Sequence, residues 1–392
     1  MPTVRGWAML GAGAALLILW YVFGDPELLL VGGFMLLATL VALVFVHYQR
    51  PHLAVARQLG SAAVSNGDTT TITLLLENVG RRPARNLRVQ DEVEQLGTAS
   101  FEIASIRTDE KTSAAYRVTG RPRGVYQVGP ARGHATDPLG LAEITIPAQV
   151  VDRLVVYPTV EELIGFPIVR GKDPAVDASR PEHSQRGGED FYTLREYQLG
   201  DDLRRVHWPS SAKTDELMIR QLETPWQSRA LVLLDVRESP YESAEAFETA
   251  VSGAASVVSH LVRSGFDADL WAGEANTIDA SRYNAAMERL ALVAADPMID
   301  IEAVAARVRQ RGGGGALVLI TGVPDRSLLS VHRLLSSDFG STVLMGVTTT
   351  TPQTVIGFHR AGATTVMVDP GAEWKTAWLS AMRTSWVGAS AS

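Results

Sequence analysis

Two uncharged apolar runs, 7–23 and 28–46, open this chain, and nothing later in it restricts the fold as tightly. Each is about the length a helix needs to cross a hydrocarbon core of roughly 30 Å. Gly24-Asp25-Pro26-Glu27 separates them, with Gly and Pro breaking the helix and two acids marking a polar tip. A cleaved signal peptide would account for the first run alone. The second run argues against it, and the first ends in Trp20, Tyr21 and Phe23 rather than at a small-residue cleavage site. The expectation is a two-helix transmembrane hairpin over 1–50, with the lipid bilayer as a partner through 7–23 and 28–46.

Basic residues orient the hairpin. Arg5 precedes the first run, His47, Arg50 and Arg57 follow the second, and the tip has none. Positive charge stays inside, which predicts a multi-pass protein of the plasma membrane with both ends and the bulk of the chain in the cytoplasm. The net charge of −7 is spread among mixed acids and bases. No basic stripe of the kind that holds a phosphate backbone is present, so no nucleic-acid partner is expected. Cysteine is absent, which excludes disulfides and thiolate zinc sites and fits a reducing compartment.

Over 51–158 the pattern is β. The run 69–77, TTTITLLLE, is rich in β-branched residues and follows the turn signal Asn66-Gly67-Asp68. The segments 86–93 and 113–119 are further strand candidates at sandwich spacing. A loop or linker over 165–188 then leads into a charged segment, so that 159–227 forms a third region. Beyond 228 strands and helices alternate. Strands are expected at 230–234, 267–271, 316–321, 342–347 and 364–368, and helices at 283–293, 301–310, near 327–336 and at 373–382. Ser243 can cap a helix carrying Phe247, Val251, Ala254, Val258 and Leu261 on one face. Such alternation implies a doubly wound α/β fold with a mainly parallel sheet. Its ligands bind beyond the carboxyl ends of the strands, here at 235–239 and 322–325.

Two motifs lie between these regions. The segment 187–223 packs Glu189, Asp190, Arg195, Tyr197, Gly200, Asp201, Asp202, Arg204, Arg205, His207, Trp208 and Lys213 into one short stretch with alternating charge. Upstream stand Arg123-Gly124-x-Tyr126-x-x-Gly129-Pro130 and Asp137-Pro138-Leu139-Gly140-Leu141. The order G-E-D-F-Y-x-L-R-E-Y-x-x-G-D-D-x-R-x-x-x-W-x-x-S-A-K-x-x-x-L resembles, nearly position for position, the signature of the bacterial domain-of-unknown-function family 58 (DUF58). Proteins of that family commonly carry a run like the upstream one as well. The 65–89 stretch resembles bacterial immunoglobulin-like modules, and the α/β region resembles the von Willebrand factor A-like domain that family members carry after their signature.

The metal-binding form of that domain begins D-x-S-x-S, supplying hard oxygen ligands suited to Mg²⁺. This chain reads Asp235-Val236-Arg237-Glu238-Ser239, so Asp235 and Ser239 align while Arg237 puts a cation at a ligand position. The T-D-G element is also altered, to Thr321-Gly322-Val323-Pro324-Asp325. A degenerate site without a cofactor is expected, with Glu238 or Asp325 as the residues that could compensate.

Paired carboxylates and His207 in the signature could serve a hydrolase. No G-x-S-x-G, H-E-x-x-H or Walker loop accompanies them, and the more economical expectation is an ion-pair network with Trp208 as a packing anchor. Gly312–Gly315 follows a helix and precedes a strand, the reverse of a phosphate loop, and reads as a loop. Trp374 and Trp378 are expected to pack the last helix onto the sheet. The resemblance implies a membrane-anchored, non-enzymatic adaptor working with a MoxR-type AAA+ ATPase in assembly or in envelope or stress processes. A membrane-associated hydrolase and a Mg²⁺-dependent ligand-binding domain are the competing classes.

The orientation is open to a direct check. A fluorescent reporter fused after Arg57 is expected to be active, and alkaline phosphatase fused at the same point inactive; the reverse pattern overturns the charge argument.

Overall fold

Both apolar runs are helices in the computed structural model, α1 (Val4–Phe23) and α2 (Pro26–Tyr48). The Thr3 hydroxyl caps α1 by accepting from the Gly6 amide, and Asp25 caps α2 by accepting from Glu27, with Pro26 in the first turn. The helices pack through their smallest residues. A Cβ at Gly13 would lie 3.1 Å from the Gly32 carbonyl oxygen, and one at Gly32 3.0 Å from that of Gly13. Their outer faces leave Tyr21, Phe34 and Leu37 uncovered. By length and composition, both helices are apolar enough to cross a membrane.

The structure describes residues 1–166, 192–196, 208, 211, 217–222, 229–273, 278–279, 282–310 and 314–390. They divide into two compact units, Met1–Thr159 with Met287–Leu292, and Val160–Ala286 with Val293–Ser392.

Beyond the helices the first unit is β-rich. A three-stranded antiparallel sheet has the order β1 (Leu53–Leu59), β3 (Thr69–Asn78), β6 (Lys111–Thr119). A larger mixed sheet runs β2 (Ala63–Ser65), β10 (Asp152–Tyr157), β7 (Gly124–Val128), β4 (Ala84–Val93), β8 (Arg132–Thr136), β9 (Glu143–Pro147), with β5 (Gly97–Ile106) also on β4. Alternation along β3 buries Ile72, Leu74 and Leu76. These meet Val64, Val93, Val128, Leu154 and Val156 in one cluster and Leu87, Val89 and Ile106 in the next, so the two sheets share a core.

A buried charge crosses that core. Arg57 on β1 pairs with Asp91 on β4 at 2.6 Å and with Asp152 on β10 at 2.7 Å, and the side chains of Arg57 and Asp91 have no exposed area. Its remaining donor capacity goes to the Val128 and Val150 carbonyls, while Tyr116 on β6 donates to Asp91 at 2.6 Å. Burial opposes the arginine's charge, but the hydrogen bonds and charges of the two carboxylates outweigh it and raise its pKa. Burial, reinforced by Asp91, raises the Tyr116 phenol as well and keeps it a donor.

In the second unit, β11 (Tyr192–Glu196) and β12 (Met218–Leu222) form an antiparallel pair. A six-stranded sheet follows the order β15 (Ile278–Asp279), β14 (Asp267–Trp271), β13 (Arg229–Leu234), β16 (Gly314–Thr321), β17 (Phe339–Val347), β18 (Thr364–Val368). Only β15 is antiparallel to its neighbour. The helices are α3 (Ala244–Arg263), α4 (Tyr283–Leu292, shared between the units), α5 (Ile301–Arg309), α6 (Arg326–Leu335), α7 (Thr354–Arg360) and α8 (Trp374–Ser390).

Ser243 caps α3 as its spacing predicts, and Phe247, Val251, Ala254, Val258 and Leu261 are all buried. Trp374 and Trp378 are fully buried, and their indoles donate to the Thr249 and Gly165 carbonyls, so they pack within this unit. The glycine run departs from expectation. Gly314 and Gly315 open β16, and Gly314 pairs in register with Phe339, because ladder bonds use only backbone groups.

Because Arg57 ties both sheets together, Arg57→Ala should leave Asp91 buried and uncompensated. The expected cost is about 3–5 kcal/mol, read as a lowered denaturant midpoint of the full chain. Arg57→Lys should recover only part of it, since one ammonium cannot reproduce the guanidinium fork.

Candidate functional site at the carboxyl edge of the parallel sheet

The strand order places β14 on one side of β13 and β16 on the other, so the two connections leaving β13 and β14 diverge there. Ligands of such sheets bind beyond the carboxyl ends of the strands at such a divergence, here those of β13 and β16. Asp235 follows β13, Thr321 ends β16, and Asp325 caps α6 by accepting from the Leu328 amide at 2.8 Å.

Arg237 fills the space between the carboxylates. Its guanidinium lies 2.8 Å from Asp235 and 2.9 Å from Asp325. Asp235 is fully buried and accepts from the Arg237 amide, from Arg237 Nε and Nη2, and from the Thr321 hydroxyl at 2.9 Å. Four donors saturate the acceptor capacity of one carboxylate. Burial works against the guanidinium's charge here too, yet the two aspartates raise its pKa above the ordinary value. Tyr241 donates its hydroxyl to the Asp235 carbonyl, and burial followed by the Asp235 charge pushes its pKa well up. Gly322 allows the loop to close, since a Cβ there would stand 2.2 Å from the Pro240 carbonyl oxygen.

These residues do not fit a Mg²⁺ centre. Hard cations need several oxygens with unshared lone pairs, and here a permanent cation already sits on both aspartates. Ser239 and Glu238 are exposed, and among the described residues no side-chain hydrogen bond joins either to the two aspartates or Arg237. A saturated carboxylate, a guanidinium and a phenol held protonated can bind or position, but they offer no base for proton transfer.

The other anticipated residues fall elsewhere. Arg195 lies on β11 with its backbone paired to Ile219, while Glu189, Tyr197, Gly200, Asp201, Arg204, His207 and Lys213 lie outside the described residues. Trp208 is 68% exposed among the described residues. In the upstream motif, Arg123 and Gly124 lead into β7, and the buried Tyr126 donates to the Pro122 carbonyl at 2.7 Å. Asp137 is buried and accepts from the Leu139 and Ala142 amides, shaping the turn that holds the exposed Pro138 and the half-buried Gly140.

Sequence reasoning identified Arg237 as a misfit but not its two-sided pairing, and it missed Thr321 and Tyr241 as partners of Asp235. The sign of the charge at position 237 was visible. Its reach to a residue 88 positions away was not.

Residues 193–297 match the model of the family described as "Protein of unknown function DUF58", which bears out the resemblance carried by the signature. The uncharacterized protein YeaD of Bacillus subtilis is 28% identical over 274 residues, covering 68% of this chain. The chain spans 64% of that relative's length. Among solved structures, the CARDB domain of the PF1109 protein from Pyrococcus furiosus is 15% identical, covering 27% of this chain and 93% of that one at a TM-score of 0.22. The sporulation control protein Spo0M from Bacillus subtilis is 16% identical, covering 26% of this chain and 49% of that one at a TM-score of 0.19.

Calorimetric titration of the full chain in detergent is expected to show no saturable Mg²⁺ binding. Arg237→Ser should lower stability by about 3–5 kcal/mol through the uncompensated aspartates, and added Mg²⁺ should restore part of that loss in this variant alone. Tight Mg²⁺ binding by the parent chain, abolished by Asp235→Ala, would falsify the reading that Arg237 closes this cluster to a metal ion.

Proposed function

We propose that this chain, which carries the DUF58 region over 193–297, is a membrane-anchored docking protein that performs no chemistry of its own. Its helical hairpin is a multi-pass anchor of the plasma membrane, with the bulk of the chain in the cytoplasm. The β-rich part of the first unit serves as an immunoglobulin-like spacer. The six-stranded sheet serves as a von Willebrand factor A-like binding unit that has given up its metal. The partner is a MoxR-type AAA+ ATPase, for which domains of this kind act as adaptors.

The observation that carries this proposal is the closed ion-pair cluster at the sheet edge. With Asp235 saturated and Arg237 permanently charged, the rim is rigid and carries fixed charge, which suits recognition of a protein surface better than turnover. Exposed Trp208 adds support, since a large aromatic held in solvent is the kind of side chain that anchors an interface.

The test uses the full chain, solubilised in detergent, against a purified MoxR-type ATPase from the same host. Direct association is expected, weakened at least about tenfold by Trp208→Ala, as for a residue that dominates an interface. His207→Ala is expected to leave association unchanged. A hydrolytic activity in the parent chain that His207→Ala or Asp201→Asn abolishes, with folding and ATPase binding intact, would establish the hydrolase instead.

A further inference from the structure

The Asp137–Leu141 turn belongs to the upstream motif, yet it has no part in the sheet-edge site. It holds the base of the helical hairpin. The Thr3 amide donates to the Leu141 carbonyl at 2.9 Å and the Thr3 hydroxyl to the Gly140 carbonyl at 2.6 Å. Pro2 bridges to Ala142, and the Glu143 amide donates back to the Met1 carbonyl. Leu141 and Ala142 are buried against Ala42 and Val46 of α2, with Met9, Ala38 and Leu43 packed around them. Gly6 makes this approach possible, because a Cβ there would stand 2.1 Å from the Leu141 oxygen. The turn therefore meets the helices where their apolar runs begin and end.

A second loop reaches the same end of the hairpin. The Val79 amide donates to the His52 carbonyl at 3.0 Å, and the Arg82 guanidinium lies 3.8 Å from the Tyr48 ring centroid while donating to the Tyr48 carbonyl. At the tips of the two loops stand uncovered apolar side chains, Leu139 at 66% and Val79 at 56% exposure. Arg5, Arg50, Arg81 and Arg82 are exposed around them. The adjoining 107–111 turn holds two bases and two acids and adds no net charge. The opposite end of the hairpin carries Asp25 and Glu27 and no base.

We infer that this edge of the first unit is a lipid-contact surface, with Leu139 and Val79 dipping into the headgroup layer and the four arginines recognising anionic lipid. The inference rests on the membrane anchorage proposed above. Given that anchorage, Tyr48 and Thr3 stand at the boundary of the hydrocarbon core, and the two loops bonded to them face headgroups rather than bulk water. Basic residues held at that depth are attracted to an anionic leaflet within a Debye length of its surface. Exposed aliphatic side chains there gain by leaving water. A protein partner at this edge would have to displace lipid from the rim of the anchor, so a bilayer is the occupant that geometry and charge favour.

Absence of cysteine makes the test clean, because one introduced thiol gives one label. The full chain is reconstituted in vesicles of neutral lipid, and of neutral lipid mixed with phosphatidylserine, carrying an environment-sensitive fluorophore at Leu139→Cys, Val79→Cys, Phe34→Cys or Asp68→Cys. Phe34 on the outer face of α2 reports anchorage. Asp68, at the far end of the ten-residue β3, is the remote control. Nitroxide lipids labelled at headgroup depth should quench the Leu139 and Val79 labels but not the Asp68 label, and more strongly with phosphatidylserine. Arg81→Gln with Arg82→Gln should remove that dependence at Val79. Quenching of Phe34 by acyl-chain nitroxide, with Leu139 and Val79 as unquenched as Asp68, overturns the inference and leaves anchorage standing. Equal quenching in both lipid mixtures overturns recognition of anionic lipid. An unquenched Phe34 label overturns anchorage and the inference together.

Discussion

A guanidinium buried between two carboxylates is the constraint on which each unit is built. In the first, Arg57 reaches from the three-stranded sheet to Asp91 and Asp152 of the larger one. In the second, Arg237 joins the end of β13 to the cap of α6 through Asp235 and Asp325. Loss of the arginine in either arrangement would leave a fully buried carboxylate, Asp91 or Asp235, unpaired, which costs more than the pair contributes. Hydrophobic clusters supply most of the driving force in both units, but they accept many near-equivalent packings. The buried ion pairs require one registration of strands, and so they select among those packings.

The same device has different consequences in its two settings. Arg57 lies wholly inside, with backbone carbonyls and Tyr116 completing its shell, and has no access to a ligand. Arg237 lies beyond the carboxyl ends of β13 and β16 and keeps a small exposed area. There it stabilises the loop, and it also holds a positive group between Asp235 and Asp325 at the sheet edge. The docking proposal draws on this fixed-charge cluster, in which Asp235 is already saturated by its own donors.

The hairpin and the first unit are likewise one construction. Thr3, Gly6, Ala42 and Val46 meet the Asp137–Leu141 turn through hydrogen bonds and close packing, so the hairpin is joined to this unit by direct contact. Two features of the upstream motif follow from this. Asp137 is buried because its carboxylate must satisfy the turn's own amides, and Leu141 is apolar because it faces the helices.

Local chemistry made much of this legible in advance. The paired apolar runs, the Ser243 cap, the alternation along 69–77 and the helix–strand rhythm beyond 228 are short-range patterns, and the elements appear where those patterns place them. Less was legible where neighbours decide. Strands such as β7 and β10 carry no strong alternation of their own and exist because partners offer ladder bonds. Gly314 and Gly315 read as loop and joined a strand for the same reason. At the candidate site the sequence by itself determined that an arginine stands two positions after Asp235. Only the tertiary structure decided that its charge is absorbed by Asp235 and Asp325, because an ion pair depends on distance in space and the folded sheet sets that distance.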